Sequence, residues 1–266
     1  MDDEIQVNFV ATNPAPILIT AEIDTLLGGE GADSFALRNN ADQLDIALLQ
    51  PPATQRGTQG SDSLVGTLND DFIYGRSGND TVSSFTGNDF LNGEFGNDLL
   101  FSGQGDDIGI GDIGNDTIFG DVGLDSVYGG GGSDVLFGNI DNDTVFGDQN
   151  DDTLYGGAGD DILSGGSGSD VILGDRGDDT ITGISRRGAG VTLISDFNPE
   201  EDQILLPGNS SQYELNRFED LLVSFPGQAV IGTAIIFINS QGGREIIAIV
   251  AGADPLDLNA TYFGFI

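Results

Sequence analysis

Between residues 58 and 183 the sequence divides into fourteen rows of nine residues without a gap, and the fifth residue of every row is Asp. These are Asp62, Asp71, Asp80, Asp89, Asp98, Asp107, Asp116, Asp125, Asp134, Asp143, Asp152, Asp161, Asp170 and Asp179. The seventh residue is Leu, Ile or Val in thirteen rows, with Gly109 as the exception. The ninth is Gly in twelve, with Ser84 and Ser102 in the other two. The third is Gly in eleven, replaced by Asn69, Asp141 and Asn150. A phase held this long means that each row is one structural unit stacked on its neighbours.

The residue types say what the unit is. Gly adopts positive φ without steric cost, and Asn and Asp tolerate it best among the rest. Those two types are the substitutes at the third position. The spacing predicts a six-residue turn followed by a three-residue strand whose aliphatic residue points inward. Two rows make a coil of 18 residues, so the fold class is all-β: a parallel β-roll, a solenoid of two thin parallel sheets face to face. A small antiparallel β cap follows it.

In that geometry residues 18 apart stack at about 4.8 Å. Asp62 through Asp170 then form one ladder and Asp71 through Asp179 the other. Unit charges at that separation repel by roughly 0.8 kcal/mol in water and about 3 kcal/mol at an effective dielectric near 20. Such ladders need interleaved cations. Seven rungs per ladder leave six gaps, so twelve internal sites is the geometric ceiling. One inward aliphatic side chain per nine residues is too little to offset the entropy of ordering them, so bound metal has to supply folding energy.

Composition narrows the cation and the partners. The chain of 266 residues has 8 basic and 44 acidic residues, a formal net charge of −36, which excludes nucleic acid as a partner and disfavours anionic lipid. Cys and His are absent, which removes disulfides, thiol and imidazole chemistry and the usual zinc ligands. The remaining hard oxygen donors suit calcium. No apolar run is long enough for a transmembrane helix, and Met1-Asp2-Asp3-Glu4 does not open a cleavable secretory signal.

The best-formed rows read Gly156-Gly157-Ala158-Gly159-Asp160-Asp161-Ile162-Leu163-Ser164 and Gly165-Gly166-Ser167-Gly168-Ser169-Asp170-Val171-Ile172-Leu173. Upstream, Gly28-Gly29-Glu30-Gly31-Ala32-Asp33-Ser34-Phe35-Ala36 fits the same pattern, with a register shift near Gln50-Pro51-Pro52. This resembles the RTX, or hemolysin-type, calcium-binding repeat family. The resemblance implies Ca2+ as the cofactor, shared between Asp carboxylates and turn carbonyls of adjacent coils. Carried over, the ligands are Asp33, the fourteen Asp of the ladders, and the carbonyls of Gly60, Gly78, Gly87, Gly96, Gly105, Gly114, Gly123, Gly132, Gly159, Gly168 and Gly177. It also implies a secreted, extracellular or cell-surface location on a Gram-negative-type bacterium, reached by type I secretion.

The expected organisation is an N-terminal strand or cap segment over 1–19, degenerate repeats over 20–57, the calcium-binding array over 58–183 and a C-terminal cap over 184–266. The alternating stretches Ala234–Ile238 and Glu245–Val250 suggest antiparallel strands. The terminus Thr261-Tyr262-Phe263-Gly264-Phe265-Ile266 has two compatible readings, a secretion signal and a last cap strand. Phe101, Phe119, Phe137 and Tyr155 recur every 18 residues at the eighth position and predict an outward aromatic ladder, either stiffening the sheet or forming a docking surface. Adjacent acids such as Asp106-Asp107 mimic a glycosidase pair but recur with the repeat, so they read as ligands and their neighbours. No catalytic site is expected. The chain reads as a calcium-folded structural protein, with a self-assembling filament, surface-layer or matrix subunit, or an adhesin module, as the alternative. Its partners are then calcium, itself, or a cell-surface component.

Overall fold

A computed structural model describes residues 54–184, 190–221, 230–252 and 256–266. Asp33 and the segment 1–19 lie outside these residues, as does all of 20–57 except its last four. Among the described residues there are 21 β-strands and no α-helix.

The strands form two sheets that alternate along the chain. One runs in the order Thr54–Arg56, Phe72–Ser77, Phe90–Phe95, Ile108–Ile113, Ser126–Gly131, Thr144–Gln149, Ile162–Gly166, Thr180–Ile184, Gln203–Leu206 and Phe263–Phe265. The other takes the intervening strands, from Ser63–Val65 to Val171–Arg176, and continues into Thr192–Ile194. Pairing within the array is parallel and in a register of 18: Val127 lies beside Val145, and Leu136 beside Leu154. This is a parallel β-solenoid, as the nine-residue phase requires.

Within the array most strands are six residues long rather than three. They run from the sixth position through the ninth and into the first two positions of the next row, with positions 7 and 9 buried. The seventh positions build the core: Ile73, Leu91, Val127, Val145, Leu163 and Ile181 from one sheet, and Val82, Leu100, Ile118, Leu136, Leu154 and Ile172 from the other. Gly109 leaves one slot of the first series without a side chain. A Cβ there would lie 2.9 Å from Ile118 Cγ2, so its neighbour across the core already fills the gap.

Positive φ at the third position holds from Gly78 to Gly177, and includes Asp141 (φ 78°) and Asn150 (φ 74°). It does not hold at Gly60 or Asn69, which are absent from that conformation. The first position also turns left-handed, which its residue types do not announce. Arg76, Phe85, Glu94, Asp112, Asp121, Asn139, Asp148 and Asp175 all have φ between 68° and 83°. For a bulky residue such as Phe85 this is a strained conformation, imposed by the coil rather than chosen by the side chain.

The outward aromatic ladder is present. Phe101, Phe119, Phe137 and Tyr155 stack with centroid separations of 5.1, 4.6 and 4.7 Å and interplanar angles of 7°, 2° and 6°. The rings cover each other's faces, so the surface presents their edges.

At the C-terminal end, Tyr213–Leu221, Val230–Ile238 and Arg244–Ala251 form an antiparallel group. Arg244–Ala251 joins the solenoid in parallel through Thr192–Ile194. The other sheet ends differently: Phe263–Phe265 adds to Gln203–Leu206 in parallel. The apolar C-terminus is therefore a strand of the cap, and Phe263, Phe237 and Tyr213 join its core to that of the roll.

Candidate metal centre

Each turn delivers its fifth-position Asp to the same place. The Asp carbonyl accepts from the sixth-position amide of the next coil, as in Thr144 N to Asp125 O at 2.9 Å. Its own amide donates to Oδ1 of the Asp 18 residues on. Asp62 donates to Asp80, Asp71 to Asp89, Asp125 to Asp143 and Asp161 to Asp179, at 2.7 to 2.9 Å. Each of the two ladders expected from spacing is thus laced along its own length by amide-to-carboxylate hydrogen bonds. Such charge-assisted bonds fix the side chains firmly.

From Asp80 to Asp170 only one oxygen of each carboxylate is used. Oδ2 of Asp80, Asp89, Asp98, Asp107, Asp116, Asp125, Asp134, Asp143, Asp152, Asp161 and Asp170 is buried without a hydrogen-bond partner. These side chains are almost wholly enclosed, Asp125 being 2 % and Asp143 1 % exposed. A buried carboxylate oxygen without a partner costs several times what a hydrogen bond returns. Eleven in phase are a structural demand for cations.

The ninth-position glycines make the space. A Cβ at Gly138 would lie 2.5 Å from Asp143 Oδ2 and 2.6 Å from the Gly156 carbonyl oxygen. At Gly120 it would meet Asp125 Oδ2 at 2.5 Å and Gly138 O at 2.8 Å. Gly75, Gly111, Gly129, Gly147 and Gly156 repeat the arrangement with Asp80, Asp116, Asp134, Asp152 and Asp161. Each cradle thus holds a carboxylate oxygen and a carbonyl oxygen from the next coil in the volume of one missing methyl. The donors are all hard oxygens, which fits Ca2+ and does not fit zinc or copper. Among the described residues no three acidic side chains converge on one point, so such an ion would depend on carbonyls as much as on carboxylates.

The third-position glycines serve a different contact. A Cβ at Gly87 would fall 2.8 Å from the Asn69 carbonyl oxygen, and Gly96, Gly105, Gly114, Gly123, Gly132, Gly159, Gly168 and Gly177 meet the third-position carbonyl of the preceding coil in the same way. Gly78 abuts the Gly60 carbonyl carbon at 2.5 Å, while Gly60 itself has open space around it. These carbonyls stack along the roll. The carbonyls that share space with the free Asp oxygens are those of the ninth position, which the sequence reading treated only as turn residues.

Burial raises every one of these carboxyls, and neighbouring Asp charges raise them further. Asp107, Asp143 and Asp152 are pushed up to about 8, and Asp116 and Asp179 to about 7. Asp89, Asp125, Asp134, Asp161 and Asp170 rise to about 6, the amide hydrogen bonds opposing the shift. Without a cation the array resists full ionisation at neutral pH.

One rung was not legible from the nine-residue phase. Asp202, 23 residues after Asp179, accepts the Asp179 amide on Oδ1 at 3.1 Å, and Gln203 N donates to Asp179 O at 2.7 Å. It continues one ladder into the cap. Its signal was the run Asp202-Gln203-Ile204, which repeats the Asp–x–aliphatic order of a row. The other ladder ends at Thr192, since Leu193 N is the group that donates to Asp170 O.

A family model for the RTX calcium-binding nonapeptide repeat (4 copies) matches residues 20–45, 56–84, 86–109, 110–145 and 146–181, more than half of the chain. No curated protein matches the chain.

Proposed function

The chain belongs to the RTX calcium-binding nonapeptide repeat family, whose members bind Ca2+ in their turns, and from that premise we propose that it is a calcium-folded structural protein. The ions are held between successive coils by Asp80 through Asp179, together with turn carbonyls. They neutralise carboxylates that the fold buries, so calcium binding and folding are one event. The observation that carries this is the row of eleven buried Asp Oδ2 atoms without partners. The chain then stays loose where calcium is scarce and folds where it is abundant, which suits a protein exported by type I secretion to the outside of the cell. Its role is structural rather than catalytic. Exposed apolar residues on the turns, among them Phe95 and its register partner Ile113, favour contact with further copies or a surface component as a second reading.

Far-UV circular dichroism and sedimentation velocity on one sample across a calcium titration test both readings. A rise in β signal with compaction to a monomer supports a calcium-folded spacer. A rise accompanied by large species supports an assembling subunit. A β signal that is indifferent to calcium and to its chelation refutes calcium-coupled folding.

A further inference from the structure

Three turns of the solenoid close on themselves. In the turn from Thr58 to Asp62, the Thr58 amide donates to Asp62 Oδ2 at 2.6 Å and its hydroxyl donates to the same atom at 3.0 Å. In the turn from Thr67 to Asp71, the Thr67 amide donates to Asp71 Oδ2 at 2.5 Å and its hydroxyl to Oδ1 at 3.1 Å. In the turn from Asn198 to Asp202, the Asn198 amide donates to Asp202 Oδ2 at 2.7 Å while Oδ1 takes the Asp179 amide. In all three the first-position amide occupies the oxygen that is orphaned at Asp80 through Asp170.

The difference follows from the backbone of the first residue. Where it is left-handed, the Asp of its own turn keeps an unpartnered Oδ2 from Asp80 to Asp170, and the amide of the left-handed Asp175 donates to Asp196 Oδ2. Thr58, Thr67 and Asn198 are not left-handed. The strands that lead into the three closed turns, Thr54–Arg56, Ser63–Val65 and Thr192–Ile194, are also only three residues long. Elsewhere most strands continue for six, through the first position. The glycine cradle itself survives at the first two closed turns, where a Cβ at Gly66 would lie 2.6 Å from Asp71 Oδ2 and 3.0 Å from Ser84 O; at the third the buried Phe197 takes that position. At the first two turns the space is therefore the same, and the amide and hydroxyl of the first residue distinguish them from the open turns.

We propose that the handedness of the first turn residue sorts the turns into calcium turns and metal-independent end turns, so that Asp62, Asp71 and Asp202 bound the calcium ladder and do not ligate it. This rests on the calcium reading above and refines it. A closed turn satisfies its carboxylate from within and can form before any ion binds. It gives the ladder a preformed floor at Thr58–Asp71 and a preformed roof at Asn198–Asp202, between which the open turns need metal.

The test is a count of bound calcium by equilibrium dialysis on the full chain, in wild type, Asp71→Asn, Asp202→Asn and Asp143→Asn. Asn retains one oxygen as acceptor but loses the charge that a calcium ligand supplies. The expected result is the wild-type number of ions in Asp71→Asn and Asp202→Asn, with midpoints within about twofold, and the loss of at least one ion in Asp143→Asn. Loss of an ion from Asp71→Asn or Asp202→Asn comparable to that from Asp143→Asn overturns the proposal. Circular dichroism in saturating calcium identifies a variant that does not fold; with the two ends tested separately, the folded one decides. A wild-type chain that takes up no calcium refutes the calcium reading, and this inference with it, and is distinct from end variants that lose ions the wild type holds.

Discussion

The amide of Asp125 donates to Oδ1 of Asp143 at 2.8 Å, and Oδ2 of the same Asp143 is buried with no partner. One carboxylate thus joins two coils and presents an unsatisfied charge to the space between them. Asp143→Asn separates these roles, because it keeps an acceptor for the amide and removes the charge. In saturating calcium the variant should lose roughly 1–3 kcal/mol of stability, through a weakened ion site. In chelator it should be no less stable than wild type, since a buried charge has been deleted. Thermal melts under the two conditions check this; destabilisation of equal size in both would contradict a metal-linked role.

Gly138→Ala should damage both the fold and the metal site. Its Cβ enters the cradle at 2.5 Å from Asp143 Oδ2 and 2.6 Å from Gly156 O, and the second of these is backbone. Overpacking of this kind costs about 1–3 kcal/mol, and it also occupies the volume required by an ion. Gly131→Ala is the control. Its Cβ would meet nothing nearer than Asp112 O at 3.8 Å, so its calcium midpoint should be unchanged. Calcium titrations of the two variants by circular dichroism compare them directly. Equal behaviour would mean that the ninth-position space is not used for metal.

The coil length and both ladders were readable because Asp at the fifth position and an aliphatic residue at the seventh never leave phase, and a solenoid repeats its contacts at fixed intervals. What escaped was set by backbone that side chains do not advertise. Arg76 and Glu94 are left-handed although their types disfavour it, because six-residue strands carry the chain into the turn there, and Phe85 is left-handed although the strand before it, Thr81–Ser83, stops short of it. The ninth-position Gly looked like a turn residue, yet in the array it is the carboxylate of the following Asp that needs its bare Cα. Gln55 hid the first strand by occupying an aliphatic slot beside Ile73. Asp202 hid because the excursion before it breaks the period. Each miss is a case where a neighbouring coil, rather than the local sequence, decided the conformation.

Phe119 sits between Phe101 and Phe137 at 5.1 and 4.6 Å, nearly parallel to both. Phe119→Ala removes two stacked pairs on a half-buried face, and should cost about 1–3 kcal/mol in calcium. The number of ions bound should not change, because the eighth position points away from the Asp ladders. Phe119→Leu should recover part of the loss. A calorimetric melt with a parallel calcium count checks both statements; an altered count would show that the stack also positions the turns.

Acid and calcium should act on the fold in the same direction when each is alone and in opposition when both are present. Burial, reinforced by neighbouring Asp charges, raises the ladder carboxyls in the metal-free roll, Asp107, Asp143 and Asp152 to about 8 and Asp116 and Asp179 to about 7. A carboxyl whose folded value exceeds its unfolded value near 3.8 holds more protons in the folded state between the two. The metal-free roll is therefore most favoured below that lower value and loses stability as pH rises through about 6 to 8. In chelator, β signal at pH 5 should exceed that at pH 8. In calcium the order reverses for binding, since protons compete for the same oxygens, and the calcium midpoint should rise as pH falls from 8 to 5. Circular dichroism at the two pH values, with and without calcium, gives all four corners of this cycle. Metal-free β signal that grew with rising pH would show that the buried carboxylates are not what keeps the metal-free chain from folding.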